Sequence, residues 1–471
     1  MANTNHLPGD SLHNTEQTSS GTQVKGAGLS AYERKILALL FALALVRGLI
    51  YAATIPPWQA PDEEFHFAQA RLLLDKWSGE VGDETTRLWQ RELLDSFRQF
   101  HLWDYTRPKP TSRYTRFVRQ SLSHGLLALS AAPVRHQEVT LQLYAMRISA
   151  VFLNIAIVLI AFLTSRLMFP DDQFMTTLVP LFVAFVPQHT YINASANDTT
   201  LAELLASVII LLTLTMLKKG FKWVLAVAVV LLAVLALQAK GTTVSVILML
   251  GFIAFLYFWR SQRIRRWSKV AIALGGLVGS ALLLLLLLPG YLRKYIGVSL
   301  LSLGSNIQPA SGVEPLDVAI GQTFQSFWAR LGWMSLKLDD QWYWILLAFS
   351  LVGLVGVIKH VISWRLDQSS SSELQHNSTS LMLLAGSALA AMGILLAWFV
   401  FGASGTIFRQ GRYLYPAFLP IAILLIWGWR EWLPAHWRRP AIKYFALCFF
   451  LFDSMILLNY VIPFFYPLWR T

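Results

Sequence analysis

The chain has 471 residues, of which 55% are hydrophobic and 14% charged. A soluble globular protein carries roughly 45–50% apolar and about 25% charged residues, so a water-soluble protein of two or three domains is excluded and an integral membrane protein is indicated. The net charge of +13, from 39 Lys+Arg against 26 Asp+Glu, lies partly in short loops between apolar runs, which makes anionic lipid headgroups the expected partner and argues against nucleic acid.

Residues 1–29 are rich in Ser, Thr, Asn, Gly and Gln without apolar periodicity, and 1–34 is expected to be a disordered cytoplasmic tail. Arg34 and Lys35 precede a first span at 36–55. That run is too long for a signal-peptide core and is not followed by a small-residue cleavage site, so it reads as a retained signal anchor with a cytoplasmic N-terminus. Further apolar runs fall at 145–167, 174–192, 199–217, 223–239, 243–259, 270–288, 343–362, 380–401, 412–430 and 441–462. The expected fold is therefore an all-α polytopic membrane protein of about 11 transmembrane helices, with the C-terminus outside. Cys448, the single cysteine, stands in the last run, which excludes a disulfide framework and a cysteine-based metal site. The basic short loops agree with this orientation: Lys218, Lys219 and Lys222, then Arg263, Arg265 and Arg266, then Lys359 and Arg365, then Arg438, Arg439 and Lys443 all fall on the cytoplasmic side. Three longer segments, 56–144, 289–342 and 402–411, face the other way, as periplasmic loops of a bacterial inner-membrane protein would. The Ser-rich stretch 363–379 suits a flexible connector, and the chain has no internal repeat of the kind that marks inverted-repeat transporters.

The first span ends in Ile55-Pro56-Pro57-Trp58-Gln59-Ala60-Pro61, a stiff extended exit, and Asp62-Glu63-Glu64-Phe65-His66-Phe67 follows. The spacing predicts an amphipathic helix from Asp62 onward, lying along the membrane surface with its apolar face down. Capping is one account of these acids, because Pro61 suits a first helical position and carboxylates complement the helix dipole. General-base chemistry is the other, because charge just above the hydrocarbon must be solvated or used.

This segment resembles the first periplasmic loop of GT-C superfamily glycosyltransferases, and most of all an uncharacterised bacterial membrane-protein family grouped with them. That family's pattern is Pro-Pro-Asp-Glu-Pro-x-His-Phe; here Ala60 and Glu64 stand in place of two prolines, and the Asp-Glu pair is intact. Three further stretches extend the resemblance over most of 36–462: Pro187-Gln188-His189 through Asn197-Asp198, Phe324-Gln325-Ser326-Phe327-Trp328 through Gly332-Trp333, and Gln410-Gly411-Arg412-Tyr413-Leu414-Tyr415-Pro416. The resemblance implies a GT-C-like transmembrane domain over 35–471 and catalytic roles for Asp62, Glu63 and Asp198.

Asp198 opens the span at 199–217, where N-capping is the competing role. Facing Asp62, it would help hold a divalent metal such as Mg or Mn, or orient the acceptor. Lys240 ends a span on the outer side, where it either snorkels or binds a lipid phosphate. Arg409 and Arg412 flank Gln410-Gly411 against the positive-inside bias; Arg412, with Tyr413 beside it, is expected to bind a donor phosphate bidentately, or else to pair with a loop carboxylate. His66, one turn from Asp62, either orients it or packs. The basic stretch from Arg107 to Arg119, interleaved with Tyr105, Tyr114 and Phe117, suits anionic headgroups or an anionic glycan. With no glycine-rich phosphate loop in the chain, the expected function is an inverting glycosyltransferase. Its donor would be a polyprenyl-phosphate sugar and its acceptor a cell-envelope glycan, lipid or protein. The rival expectation is a transporter or flippase for a lipid-linked or anionic solute.

Overall fold

A computed structural model describes residues 29–101, 114, 116, 121–246, 316–366, 384–386, 388, 389, 393 and 410–467. They form a nearly all-helical polytopic membrane protein with one two-residue hairpin, Arg330–Leu331 with Leu336–Lys337, and six helices are long and apolar enough to cross a bilayer: Ala31–Thr54, Val139–Met168, Thr199–Lys219, Asp340–Ser363, Gly411–Arg430 and Ala435–Phe465. In chain order the helices are α1 (Ala31–Thr54), α2 (Glu63–Ser78), α3 (Glu84–Gln99), α4 (Leu122–Ala131), α5 (Val139–Met168), α6 (Gln173–Phe185), α7 (Pro187–Asn193), α8 (Thr199–Lys219) and α9 (Trp223–Ala239). After these come α10 (Leu316–Trp328), α11 (Asp340–Leu366), α12 (Phe418–Arg430) and α13 (Ala435–Ile456). The expected runs 243–259, 270–288 and 380–401 lie wholly or largely outside the described residues.

Two expected boundaries move. The first helix begins at Ala31, because Ser30 accepts the Glu33 backbone N–H at 3.1 Å while the Glu33 carboxylate accepts the Ser30 N–H at 2.7 Å. This capping box carries Arg34 and Lys35 into the helix instead of leaving them ahead of it. The run 174–192 is broken in two at Val186, since Pro187 cannot donate to the turn before it and starts α7 afresh.

The membrane core is built by α1 against α5, α5 against α6 and α8, α6 against α12 and α13, and α11 against α12. The last of these contacts depends on glycine. A Cβ on Gly356 would overlap the Gly428 carbonyl, and one on Gly428 would overlap the Gly353 carbonyl, so the two backbones touch there. First and last spans are joined inside the bundle by Arg47, whose Nε donates to Asp453 Oδ2 at 2.7 Å and whose Nη1 donates to Thr190 Oγ1 at 2.9 Å. Tyr51 adds a hydrogen bond to Asp453 Oδ1 at 2.8 Å, so the buried acid is satisfied from several sides.

A second core belongs to the first loop. It gathers Trp58 from the turn after α1 and Phe67, Leu72, Trp89, Leu93, Phe97, Leu127 and Met146 from α2, α3, α4 and the start of α5. This corrects the expectation for α2, which is not a surface helix with one apolar face down. Most residues from Glu63 to Asp75 are buried, polar ones included, because α4 packs on it and α3 contributes to the same core. Among the described residues of this loop, α3 is amphipathic and buries Thr86, Trp89, Leu93, Ser96 and Phe97 on one side.

Candidate active site

The chain turns sharply where it leaves α1, with Trp58 and Asp62 both in the left-handed region at φ 69° and 63°. Two tryptophans hold this turn: Trp58 Nε1 donates to Ser96 Oγ at 3.0 Å, and Trp333 Nε1 donates to the Trp58 carbonyl at 2.9 Å. Beneath it sits a fully buried ion pair. Arg147 gives Nε to Glu63 Oε1 at 2.9 Å and Nη2 to Oε2 at 2.6 Å, and also donates to the carbonyls of Ala52, Ile55 and Pro56. The same carboxylate accepts the backbone N–H groups of Trp58 and Ala196, both at 3.1 Å. All four acceptor positions of Glu63 are therefore filled, which makes it an anchor for the turn and leaves it no room for an incoming hydroxyl.

Asp62 occupies the N-cap position of α2 but makes no capping bond with its side chain. Its Oδ2 accepts Arg412 Nη2 at 2.6 Å, and Arg412 Nη1 donates to the Pro61 carbonyl at 2.9 Å. The alternative of a loop carboxylate for Arg412 is thus realised, and the carboxylate is Asp62. Arg412 reaches it from a 3-10 turn, Gly411–Ala417, that precedes α12. Gly411 is required there, because a Cβ would overlap the backbone N and Cα of Phe327, while its own N–H donates to Ser326 Oγ at 2.8 Å. The close approach that glycine permits is to the end of α10, not to a ligand. The side chain of Asp62 is 27% exposed against 4% for Arg412, so the carboxylate is the open member of the pair.

A second pair stands beside the first. Asn197 caps α8 through Oδ1, accepting from Thr199 N at 2.6 Å and Thr200 N at 3.2 Å. That leaves the Asp198 carboxylate for Lys240, whose Nζ lies 2.5 Å from Oδ1 and 2.7 Å from Thr199 Oγ1. Lys240 is buried and so does not snorkel. The ring of Tyr413 lies under both cations, 5.6 Å from Lys240 Nζ and 5.5 Å from Arg412 Cζ. His66 points its Nε2 toward Asp198 Oδ1 at 3.8 Å. Burial pushes its imidazole down to about 4, against the pull of Asp198 and Asp62 and with the help of Lys240 and Arg412, so it is neutral at neutral pH.

Asp62, His66, Asp198, Lys240, Arg412 and Tyr413 thus form one cluster, although Asp62 and Arg412 alone are 350 positions apart in sequence. Glu63 supports it from below, and Arg409 lies outside the described residues. Of the basic stretch, Tyr114 and Arg116 alone are described; Tyr114 is buried and the Arg116 carbonyl accepts Gln69 Nε2 at 3.0 Å. The remaining stretch of the four, 324–333, is tied to the second: Gln188 Oε1 accepts the Arg330 N–H at 2.7 Å, and Tyr191 Oη donates to the Gln59 carbonyl at 2.5 Å and accepts the Gly332 N–H at 3.2 Å. Sequence reasoning missed Arg147. An arginine three residues into an apolar run was a usable signal for it.

Asp62 and Asp198 each already hold a cationic side chain, and among the described residues no three His, Cys, Asp or Glu are grouped as metal ligands. What the arrangement can do is exchange anions. A phosphate drawn to Arg412 and Lys240 competes with the two carboxylates, and each carboxylate it displaces becomes free to accept a proton. Comparison with protein-family models and with curated proteins gives no match.

Proposed function

We propose that the chain is an inverting glycosyltransferase of the GT-C type, seated in the bacterial inner membrane with its N-terminus cytoplasmic and its C-terminus periplasmic. It transfers a sugar from a polyprenyl-phosphate donor to a glycan, lipid or protein acceptor of the cell envelope at the periplasmic face. The observation that carries this reading is the accessible Asp62 carboxylate, held by Arg412 next to a second carboxylate–cation pair, Asp198 with Lys240. The meeting of the four family-like stretches at this one place supports the resemblance that suggested it.

The donor phosphate takes Arg412 and Lys240 as its counter-charges, and both then stabilise the negative charge that grows on the leaving oxygen. Asp62, released from Arg412, removes the proton from the acceptor hydroxyl as that oxygen attacks the anomeric carbon opposite the phosphate. One direct displacement inverts the configuration. Asp198 orients the acceptor, and Glu63 with Arg147 fixes the backbone from which Asp62 projects. Membrane lipid surrounds the domain, and no nucleic acid takes part.

The test is sugar transfer in vesicles that contain the protein and a radiolabelled polyprenyl-phosphate sugar, comparing wild type with Asp62→Asn at equal folded levels. Loss of transfer by roughly 10²–10⁴-fold with donor binding retained is expected for removal of a general base. Transfer that survives in Asp62→Asn would demote the residue to a structural partner of Arg412. Movement of label across the membrane with no new glycosidic bond in either protein would favour the transporter.

A further inference from the structure

The buried arginines Arg47, Arg147 and Arg412 use their guanidinium forks differently. Arg47 gives both Nε and Nη2 to Asp453, and Arg147 gives both to Glu63, so each closes one edge of its fork on a single carboxylate. Arg412 does not. Its Nη1 goes to the Pro61 carbonyl and its Nη2 to Asp62, while Nε, on the same edge as Nη2, is buried with no hydrogen-bond partner among the described residues. The edge is half filled, beside the more open member of the pair.

A second unused donor lies in the turn Gly241–Thr243 that follows Lys240. This turn packs against the turn Gly411–Ala417, which carries Arg412, and against α8, whose N-cap is Asp198. Thr242 is 7% exposed, and its Oγ1 is buried with no hydrogen-bond partner among the described residues. Its neighbours do what hydroxyls in such turns usually do and fold back on the backbone: Thr243 Oγ1 donates to the Lys240 carbonyl at 2.7 Å, and Ser245 Oγ to the Thr242 carbonyl at 3.1 Å. Thr242 makes no such bond. A buried hydroxyl left unbonded costs stability, and a ligand that bonds it accounts for the cost. Thr242 Oγ1 and Arg412 Nε can both donate, and both belong to turns that bring a cation to the ring of Tyr413. An oxyanion is the ligand that two donors beside two cations fit.

We propose that Thr242 is a ligand of the donor phosphate, its hydroxyl and Arg412 Nε–H donating to non-bridging phosphate oxygens while Lys240 supplies the adjacent charge. The inference rests on the transferase reading above for the identity of the phosphate. The half-filled fork sets the order of binding. One oxygen takes Arg412 Nε while Asp62 still holds Nη2. The phosphate then closes the whole Nε–Nη2 edge, as the carboxylates do on Arg47 and Arg147, and Asp62 is freed for the acceptor hydroxyl. Thr242 adds a hydrogen bond to one of the same oxygens and keeps it when the sugar has left and the phosphate carries its extra negative charge. Thr242 makes and breaks no covalent bond.

The experiment uses the full chain in phosphatidylcholine nanodiscs, with Thr242→Val and Thr242→Ser beside the wild type. The probe is geranyl phosphate, which carries the phosphate of the leaving group on a short soluble prenyl chain. Calorimetry is expected to show binding weakened roughly 10–100-fold in Thr242→Val, the loss of one hydrogen bond to a charged group, and retained in Thr242→Ser. Geraniol, which lacks the phosphate, should not distinguish the three proteins. Inorganic phosphate separates a lipid-borne source from a free one: geranyl phosphate should bind more tightly, and equal affinities would overturn the assignment to a lipid-linked donor. Geranyl phosphate bound equally well by wild type and Thr242→Val would overturn Thr242 as a ligand. Ligand-free Thr242→Val should unfold at no lower denaturant concentration than wild type, because valine removes a buried hydroxyl that has no bond. A marked loss of stability, or failure to fold, would mean that the hydroxyl serves the fold and would overturn the proposal. In sugar transfer, the donor KM should rise by a similar factor in Thr242→Val and return in Thr242→Ser. Wild type that binds geranyl phosphate through Thr242 but transfers no sugar would overturn the transferase reading and leave the phosphate site standing.

Discussion

Replacement of Arg147 by Met tests whether the site stands on the buried ion pair beneath it. The guanidinium makes five hydrogen bonds at 2.6–3.0 Å, two to Glu63 and three to backbone carbonyls at the exit of α1. Both partners are shielded from solvent, at 1% and 0% side-chain exposure. Removing one member of such a pair leaves the other charge without compensation, which costs about 3–5 kcal/mol. That is a large share of a native stability of about 5–15 kcal/mol. Adding Glu63→Gln to Arg147→Met removes the stranded charge and keeps one oxygen to accept from Trp58 or Ala196, whose N–H groups bind different carboxylate oxygens, so the double variant should be more stable than Arg147→Met alone. Unfolding in mixed micelles, followed by tryptophan fluorescence, measures all three proteins. An Arg147→Met variant within about 1 kcal/mol of wild type, or a double variant no better than the single, would refute the anchoring role given to this pair.

His66 makes stability depend on pH. Its imidazole is lowered from 6.5 to about 4 by burial, so between those values the unfolded chain binds more protons than the native one and stability rises with pH. The contribution is complete above about pH 6.5 and is lost as pH falls toward 4, by up to roughly 3 kcal/mol. Unfolding free energies of wild type and His66→Gln across pH 4–7 should converge at the acid end. Gly411→Ala forces the 3-10 turn off Phe327 and draws Arg412 away from Asp62. Cross-linking of cysteines placed at 62 and 412 should therefore fall, with a stability loss of roughly 1–3 kcal/mol as for other overpacked contacts. Gly428→Leu separates α11 from α12 at a backbone contact and should destabilise at least as much in the same micelle assay.

The class of the protein was legible in composition alone, because about 20 apolar residues in a row have few other uses in a folded chain. The runs at 36–55, 145–167, 199–217, 343–362, 412–430 and 441–462 all return as helices of spanning length and composition. Polar residues at the ends of such runs were also legible as exceptions, since a charge at a bilayer edge needs a reason. Asp62, Asp198, Lys240 and Arg412 stood out in that way. Their partners did not, because pairing depends on which helix ends meet, and no local pattern encodes that.

Capping shows the limit clearly. Both Asp62 and Asp198 occupy N-cap positions, which sequence rules read as local hydrogen bonding. Tertiary contacts chose otherwise: Asn197 does the capping for α8, and the two aspartates turn to Arg412 and Lys240. The same holds for α2, whose polar residues suggested a surface and whose position under α4 buries them. Sequence by itself determined what must lie in the membrane, because burial of apolar surface is additive along a helix. Only the tertiary structure decided which charges face one another, because a hydrogen bond or ion pair depends on ångström-scale geometry between segments hundreds of residues apart.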